Sequence, residues 1–190
     1  PQQLLHEGTA IETDFFEPEP CDLEDVFAVH SKEYVNDLVH LKLDAKAVRK
    51  IGFPLSAKLV ERELRIAQGT IIGAEKAFET KVAFNIAGGT HHAFSNRGEA
   101  FCMLNDQAIA SQYLLDKKLA KKILIIDLDV HQGNGTAEIF HNNANVLCMG
   151  ARIISEYMAW EFTKVWLSTE HLGGKYAKRV EAMMNYEKNK

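Results

Sequence analysis

The sequence predicts an α/β fold in which a parallel sheet is crossed by helices. Two observations lead to it. Short apolar runs, "KVAFNIA", "KKILIIDL" and "NVLCMG", recur along the chain, and each gives way to glycine or polar residues. Between them, apolar residues recur at spacings of three and four, the period of an amphipathic helix. Strands that alternate with helices pair in parallel, because each helix returns the chain across the sheet.

Residues 1–28 are acidic and broken by Pro18 and Pro20, which predicts loop and short extended pieces. Ser31 is placed as the N-cap of a helix through "KEYVNDLVHL", with Tyr34, Leu38 and Leu41 on one stripe. "IGFPLS" ends that pattern. From Ser56 a long amphipathic helix carries Val60, Leu64, Ala67, Ile71, Ala74 and Phe78 to an end near Thr80. Residues 81–87 are expected to form a buried strand that enters the Gly88-Gly89 turn. A helix over about Asp106 to Lys118 precedes "KKILIIDL", whose unbroken apolar run suits a strand covered on both faces. "GNGT" opens a short helix to Phe140, and "NVLCMG" supplies the third strand. Residues 152–166 are apolar around most of a helix, so burial or a partner surface is expected, with Trp160 and Trp166 in the core. "HLGGKYAKRVEAMM" predicts a glycine turn and a last amphipathic helix, and "EKNK" a solvated end.

A chain of 190 residues with 46% hydrophobic and 25% charged residues has the composition of one folded domain, or at most two small ones. A net charge of -4 gives no general electrostatic footprint for a nucleic-acid backbone. Cys21, Cys102 and Cys148 are far apart and contain no C-x-x-C pair, which points to a reducing, cytoplasmic setting. No apolar run is long enough to span a bilayer, and the first residues lack the pattern of a signal peptide. The chain opens on proline without an initiator methionine, so its beginning is expected to be absent. The sequence leaves the oligomeric state open.

The chemistry gathers after two of the apolar runs, as "GGTHH" and "DLDVHQGNG". In open parallel sheets ligands bind beyond the carboxyl ends of the strands, so both clusters fall on one edge. Extended residues two apart share a side, which puts Asp127, Asp129 and His131 together. A carboxylate and an imidazole so spaced can grip one divalent ion, and zinc(II), iron(II) or cobalt(II) all accept oxygen and nitrogen donors. A strand-end aspartate capping a loop, beside an ordinary surface histidine, is the bland alternative. His91 and His92 suit proton transfer, and Asp127 and Asn134 are available to orient them. The alternative is a pair of exposed loop histidines. Gly88, Gly89, Gly133 and Gly135 allow a ligand to approach the backbone, although turns alone would also use them. Cys102, with no base assigned to it, reads as a packed small residue.

"AFNIAGGTHHAFSNRGEAFCMLNDQAIA" and "ILIIDLDVHQGNGTAEIF" closely resemble the histone deacetylase superfamily, in particular its bacterial and acetoin-utilisation-type members, and "RKIGFPLSAKLVERELRIAQGT" is similar to the same group. The resemblance covers about residues 1–150 and nearly vanishes after Gly150, where "GGKYAKRVEAM" (within 172–185) is similar to a late glycine-tyrosine turn. It implies a single deacetylase-like domain over 1–190 with a three-layer, arginase/deacetylase-like α/β fold, incomplete here, and a stretch missing between Gly150 and Leu172. It also implies zinc-dependent hydrolysis of an acetylated lysine peptide or acetylated small amine; the charge and hydropathy add the expectation of no nucleic acid and no membrane as partners. Asp129 and His131 would ligate the metal. His92, backed by Asn134, would be general base and then acid, and His91, backed by Asp127, its electrostatic partner. Phe101 would line the acyl channel, Tyr176 would donate to the substrate carbonyl, and a structural monovalent cation would lie near the strand of Asp127.

The chain departs from the family's pattern in four places. Ala100 stands where glycine is usual, so a methyl is expected to narrow the site, and Lys175 interrupts a glycine triplet. The family's first strand would precede Pro1. Its third metal ligand is a later Asp, and no Asp follows Asp129 here; Glu170 is the least implausible substitute. The chain by itself is therefore expected to show negligible activity. A catalytically inactive binding module with the same fold is the second reading, and a binuclear arginase-like hydrolase a lesser third.

Overall fold

The computed structural model describes residues 1–169. Helix α1 (Gln2–His6), a 3-10 turn (Glu12–Asp14) and α2 (Leu23–Phe27) open the chain, followed by α3 (Lys32–Val39), α4 (Ala45–Ile51) and the long α5 (Ala57–Thr80). Next come α6 (Asp106–Asp116), β1 (Ile123–Asp127), α7 (Asn134–Phe140), β2 (Val146–Gly150) and α8 (Glu156–Ser168). Among these helices none is long and apolar enough to cross a membrane.

Local chemistry explains the helix starts. The side chains of Ser31, Asp44, Ser56, Asn105 and Ser155 each accept a hydrogen bond from a backbone N–H in the first turn of the helix that follows. Helix α5 ends near Thr80 as its periodicity predicts. The first 28 residues hold short helices where loop and extended pieces were expected, and α4 was not anticipated. Asp22 and Asp44 cap two of these helices, and seven residues or fewer are too short for a clear helical period.

β1 and β2 pair in parallel, Ile123 opposite Val146 and Asp127 opposite Gly150, with α7 as the crossover. On one face Ile123, Ile125, Val146 and Cys148 pack against a core that includes Val26, Tyr34, Leu38, Ile51, Ile71, Leu104 and Ile109. Each large apolar side chain buried there contributes roughly 1.5–3 kcal/mol. On the other face α8 lies against β2, where Thr163 Oγ1 approaches Met149 Sδ at 3.9 Å.

Several expectations need correction. Residues 81–87 form no strand, and Val82, Phe84 (86% exposed) and Ile86 face solvent. Strand-forming residues become a strand only with a ladder partner. Among the described residues β1 pairs only with β2, and residues 81–87 are tethered through Asn85, whose Nδ2 donates to Ile66 O and Thr70 Oγ1 of α5. β1 is not covered on both faces, since Ile126 is 60% exposed. Leu41 and Phe78 lie at the C-terminal ends of their stripes and are exposed, as is Trp160; Trp166 is partly buried and its Nε1 donates to Ala144 O. The expected helix after Gly174 lies outside the described residues.

Two buried ionisable groups give stability opposite pH slopes. His30 is sealed inside, its Nδ1 donating to Phe94 O at 2.9 Å and its Nε2 accepting from Asn105 N at 3.0 Å. A second ring proton would confront the Asn105 N–H. Burial pushes His30 down from 6.5 to about 4. Between those values the unfolded chain binds a proton that the folded one refuses, so this residue removes stability as pH falls through the window and none above it. Burial pushes Glu63 up from 4.5 to about 7, which removes stability as pH rises. The His30 contribution is thus read as a difference. In urea titrations from pH 6.5 to 4.5, His30→Gln is expected to lack a fall of up to about tenfold per pH unit in the folded-to-unfolded ratio. Parallel profiles of the two proteins would contradict this.

Candidate active site

His91 and His92 sit on the loop after Gly88-Gly89, and a buried carboxylate holds that loop. Asp106, in the first turn of α6, accepts from Gly89 N (3.0 and 3.1 Å), Thr90 N (2.8 Å), Thr90 Oγ1 (2.6 Å) and Thr70 Oγ1 of α5 (2.6 Å). A buried charge so fully supplied with donors fixes its surroundings. Asn105 donates through Nδ2 to Ala93 O (3.1 Å) and Thr136 Oγ1 (2.9 Å), which ties the loop to α7. Gly135 N and Thr136 N donate to His91 O at 3.1 and 3.2 Å. A Cβ on Gly135 would overlap the Ala93 carbonyl, so only glycine allows this approach.

The second arm of the site is the chain that leaves β1. Its residues meet the two histidines. His91 Nδ1 lies 2.5 Å from Asp127 Oδ2, and Asp127 Oδ1 accepts from Asp129 N at 2.9 Å. His92 Nδ1 lies 2.8 Å from Asn134 Oδ1, which also accepts from Gly135 N at 3.0 Å. An oxygen already used as an acceptor requires His92 Nδ1 to donate, so Nε2 keeps its lone pair. The two rings stand 4.1 Å apart between centroids, and His131 presents an edge to His92 at 6.0 Å. Asp129 Oδ1 lies 2.7 Å from His131 N, 3.0 Å from His131 Nδ1 and 3.9 Å from His91 Nε2. The His131 N–H holds the Asp129 carboxyl below its ordinary range, with the His131 and His91 rings adding to the effect.

Asp129 and His131 offer an oxygen and a nitrogen donor 3.0 Å apart, which suits two neighbouring positions around one borderline divalent ion. Among the described residues no third histidine, cysteine, aspartate or glutamate joins them. The donors fit a metal in kind and fall one short in number, since catalytic zinc takes three protein ligands. Glu170 and Tyr176 lie outside the described residues.

Phe101 is 60% exposed and packs on Phe53, their centroids 5.0 Å apart. It lies over Gly52, where a Cβ would come within 2.8 Å of its ring. Ala100 and Phe101 both have left-handed backbones, with φ of 45° and 66°. An alanine in that region costs about 1 kcal/mol relative to glycine. Ala100 is exposed on its turn, so its methyl strains the backbone and is not seen to narrow the site. Burial pushes the Cys102 thiol up to about 11, which leaves it a packed residue and not a nucleophile. Asp106, Asn105, Thr90 and Thr136 were missed by sequence reasoning. The available signal was the polar pair Asn105-Asp106 wedged between the apolar runs "FCML" and "AIA".

A family model of the histone deacetylase domain matches residues 2–152. The chain belongs to the histone deacetylase family. The match ends where the sequence likeness fades, just past Gly150. The chain is 45% identical over 143 residues to an uncharacterised protein of Picosynechococcus sp., covering 75% of this chain and 48% of that protein. It is 38% identical over 136 residues to a probable deacetylase of Archaeoglobus fulgidus (69% and 37% covered). It is 29% identical over 155 residues to the acetoin utilization protein AcuC of Bacillus subtilis (76% and 40%). Among solved structures, a histone deacetylase homolog from Aquifex aeolicus superposes with a TM-score of 0.66 at 27% identity, over 80% of this chain and 44% of that one. A homolog complexed with SAHA gives a TM-score of 0.65 at 29% identity, over 75% and 41%.

The fold of this family member is therefore the arginase/deacetylase-type α/β fold, and the described residues hold its paired parallel strands with helices on both faces. The chain spans less than half the length of these relatives. A ribose/galactose isomerase model also matches residues 130–183, under a third of the chain.

Proposed function

We propose that the site hydrolyses the acyl-amide bond of an acetylated lysine peptide or a related acetylated amine. The observation that carries this is the pair of oriented histidines, His91 on Asp127 and His92 on Asn134, facing Asp129 and His131. Asp129 and His131 would hold zinc, or iron(II) or cobalt(II), with a third ligand from outside the described residues. Such an ion, when bound, polarises an amide carbonyl and acidifies a water. The protein's own groups do the rest. Asn134 fixes the His92 tautomer, so Nε2 takes a proton from the attacking water and returns it to the departing amine nitrogen. Asp127 anchors His91 beside it with a negative charge. Phe101 would flank the aliphatic stem of the substrate. A cytoplasmic setting and a monovalent cation near Asp127 belong to the same proposal.

Among the described residues the donor set is one ligand short, and a module that binds acylated ligands without turnover is the second reading. Release of acetate from an acetyl-lysine peptide by the zinc-supplemented protein, with and without chelator, separates the two. Chelator-sensitive release supports the hydrolase. Peptide binding without release supports the module, and release that survives chelation overturns the metal assignment.

A further inference from the structure

Two glycines open a slot for one polar side chain. Gly69 lies inside α5, where glycine costs about 1 kcal/mol relative to alanine. A Cβ there would come within 3.2 Å of Asn85 Nδ2, and one on Gly88 would meet Asp106 Oδ2 at 2.6 Å, Asn85 Nδ2 at 3.1 Å and Thr70 Oγ1 at 3.2 Å. Asn85, Thr70 and Asp106 are thus packed together under the turn that leads to His91 and His92.

Their hydrogen bonds run in one direction. Asn85 Nδ2 donates to Ile66 O at 2.8 Å and to Thr70 Oγ1 at 2.7 Å, and its Oδ1 accepts from Ala87 N at 3.3 Å, which fixes the orientation of the amide. Thr70 has one hydroxyl proton, and the Ile66 carbonyl 3.3 Å away already takes the Asn85 amide, so Oγ1 donates to Asp106 Oδ2 at 2.6 Å. Thr90 Oγ1 accepts from Asp106 N at 3.2 Å and therefore donates to Asp106 Oδ1. The Asp106 carboxylate is left as an acceptor on every side, with the Gly89 and Thr90 amides completing the set. Without the Asn85 donor, the Thr70 hydroxyl is free to turn to Ile66 O, and Asp106 Oδ2 loses its bond to α5.

We propose that Asn85 and Thr70 are positioning residues for His92. They hold Asp106 in the orientation from which it grips the Gly89 and Thr90 amides, and the loop so placed brings His92 Nδ1 to Asn134 Oδ1 at 2.8 Å. The consequence for proton transfer rests on the proposed hydrolysis, whereas the state of the ring can be read without turnover, so the two can fail separately.

The tautomer of His92 tests the proposal, read by nitrogen-15 NMR of the full 190-residue chain in chelator. The measurement is made at about pH 8, above the ordinary imidazole range. Thr70→Val is expected to lower the ratio of Nδ1–H to Nε2–H rings by about threefold to tenfold, the scale that one net hydrogen bond sets. Exchange of the Gly89 and Thr90 amides should quicken by about the same factor, while the Val35 amide of α3, bonded to Ser31 O, keeps its rate. Thr70→Ser retains the hydroxyl and is expected to match the unaltered chain. Asn85→Ala is expected to give the same two changes as Thr70→Val, and it carries the test should Thr70→Val fail to fold. Faster Gly89 and Thr90 exchange with an unchanged His92 ratio overturns the positioning role. Unchanged exchange, or a Thr70→Ser protein that behaves like Thr70→Val, overturns the role of the hydroxyl and with it the proposal.

Discussion

In a form of the protein that supplies the third metal ligand, replacing His92 by alanine is expected to lower the turnover of an acetyl-lysine peptide by about a hundredfold or more, the usual scale of general acid-base contributions. The reason lies in one hydrogen bond. Asn134 Oδ1 already accepts the Gly135 N–H, so it takes the Nδ1 proton of His92 and leaves Nε2 free to serve as the base in the proposed hydrolysis. His92→Ala removes that base without touching Asp129 or His131, so zinc content should be unchanged. His91→Ala should cost less, because His91 is bound to Asp127 and serves as a neighbour to the proton carrier. Asn134→Ala keeps the ring but frees its tautomer, and its loss should fall short of that in His92→Ala. A rate essentially unchanged by removing His92 would show that the base lies elsewhere.

In the same form of the protein, His131→Ala is expected to weaken zinc binding by more than about a hundredfold, since even the loss of an outer partner of a ligand costs 10–100-fold. His131 supplies the sole nitrogen of the donor pair, and without it Asp129 alone cannot hold the ion. The fold should survive, because the His131 side chain is 71% exposed and contributes nothing to the core. Elemental analysis after dialysis, beside a circular dichroism spectrum, reads both quantities. Equal zinc in the two proteins would sink the ligand assignment. Gln132→Ala, one residue away, should change neither.

Much of the site was legible in the sequence, for local reasons. Asp127, Asp129 and His131 lie within five residues, and their shared side follows from extended geometry alone. Which histidine takes which partner came only from the family resemblance. That Asp127 and Asn134 come within reach of the two histidines needed one further inference, that two strand ends fall on the same edge of a sheet. The fold bore that out for β1, although the first partner turned out to be a loop. The groups that hold this loop were not legible. Asp106 looks like any acidic residue at a helix start until Gly89, Thr90 and Thr70, distant in sequence, converge on its carboxylate.

Sequence alone determined where α3, α5, α6 and α7 begin, where α5 ends, the two paired strands and the polar residues at the mouth of β1. Each of these rests on caps, periodicity or spacing within a few residues. Tertiary structure decided which apolar segments are buried. "KVAFNIA" and "KKILIIDL" look alike as strings, yet Ile123 and Ile125 pack on the core while Val82, Phe84 and Ile86 face water. The difference is a neighbour: β1 finds the backbone of β2 along its length, and residues 81–87 meet only the side of α5. Strand formation and burial belong to pairs of segments, so no single segment states them.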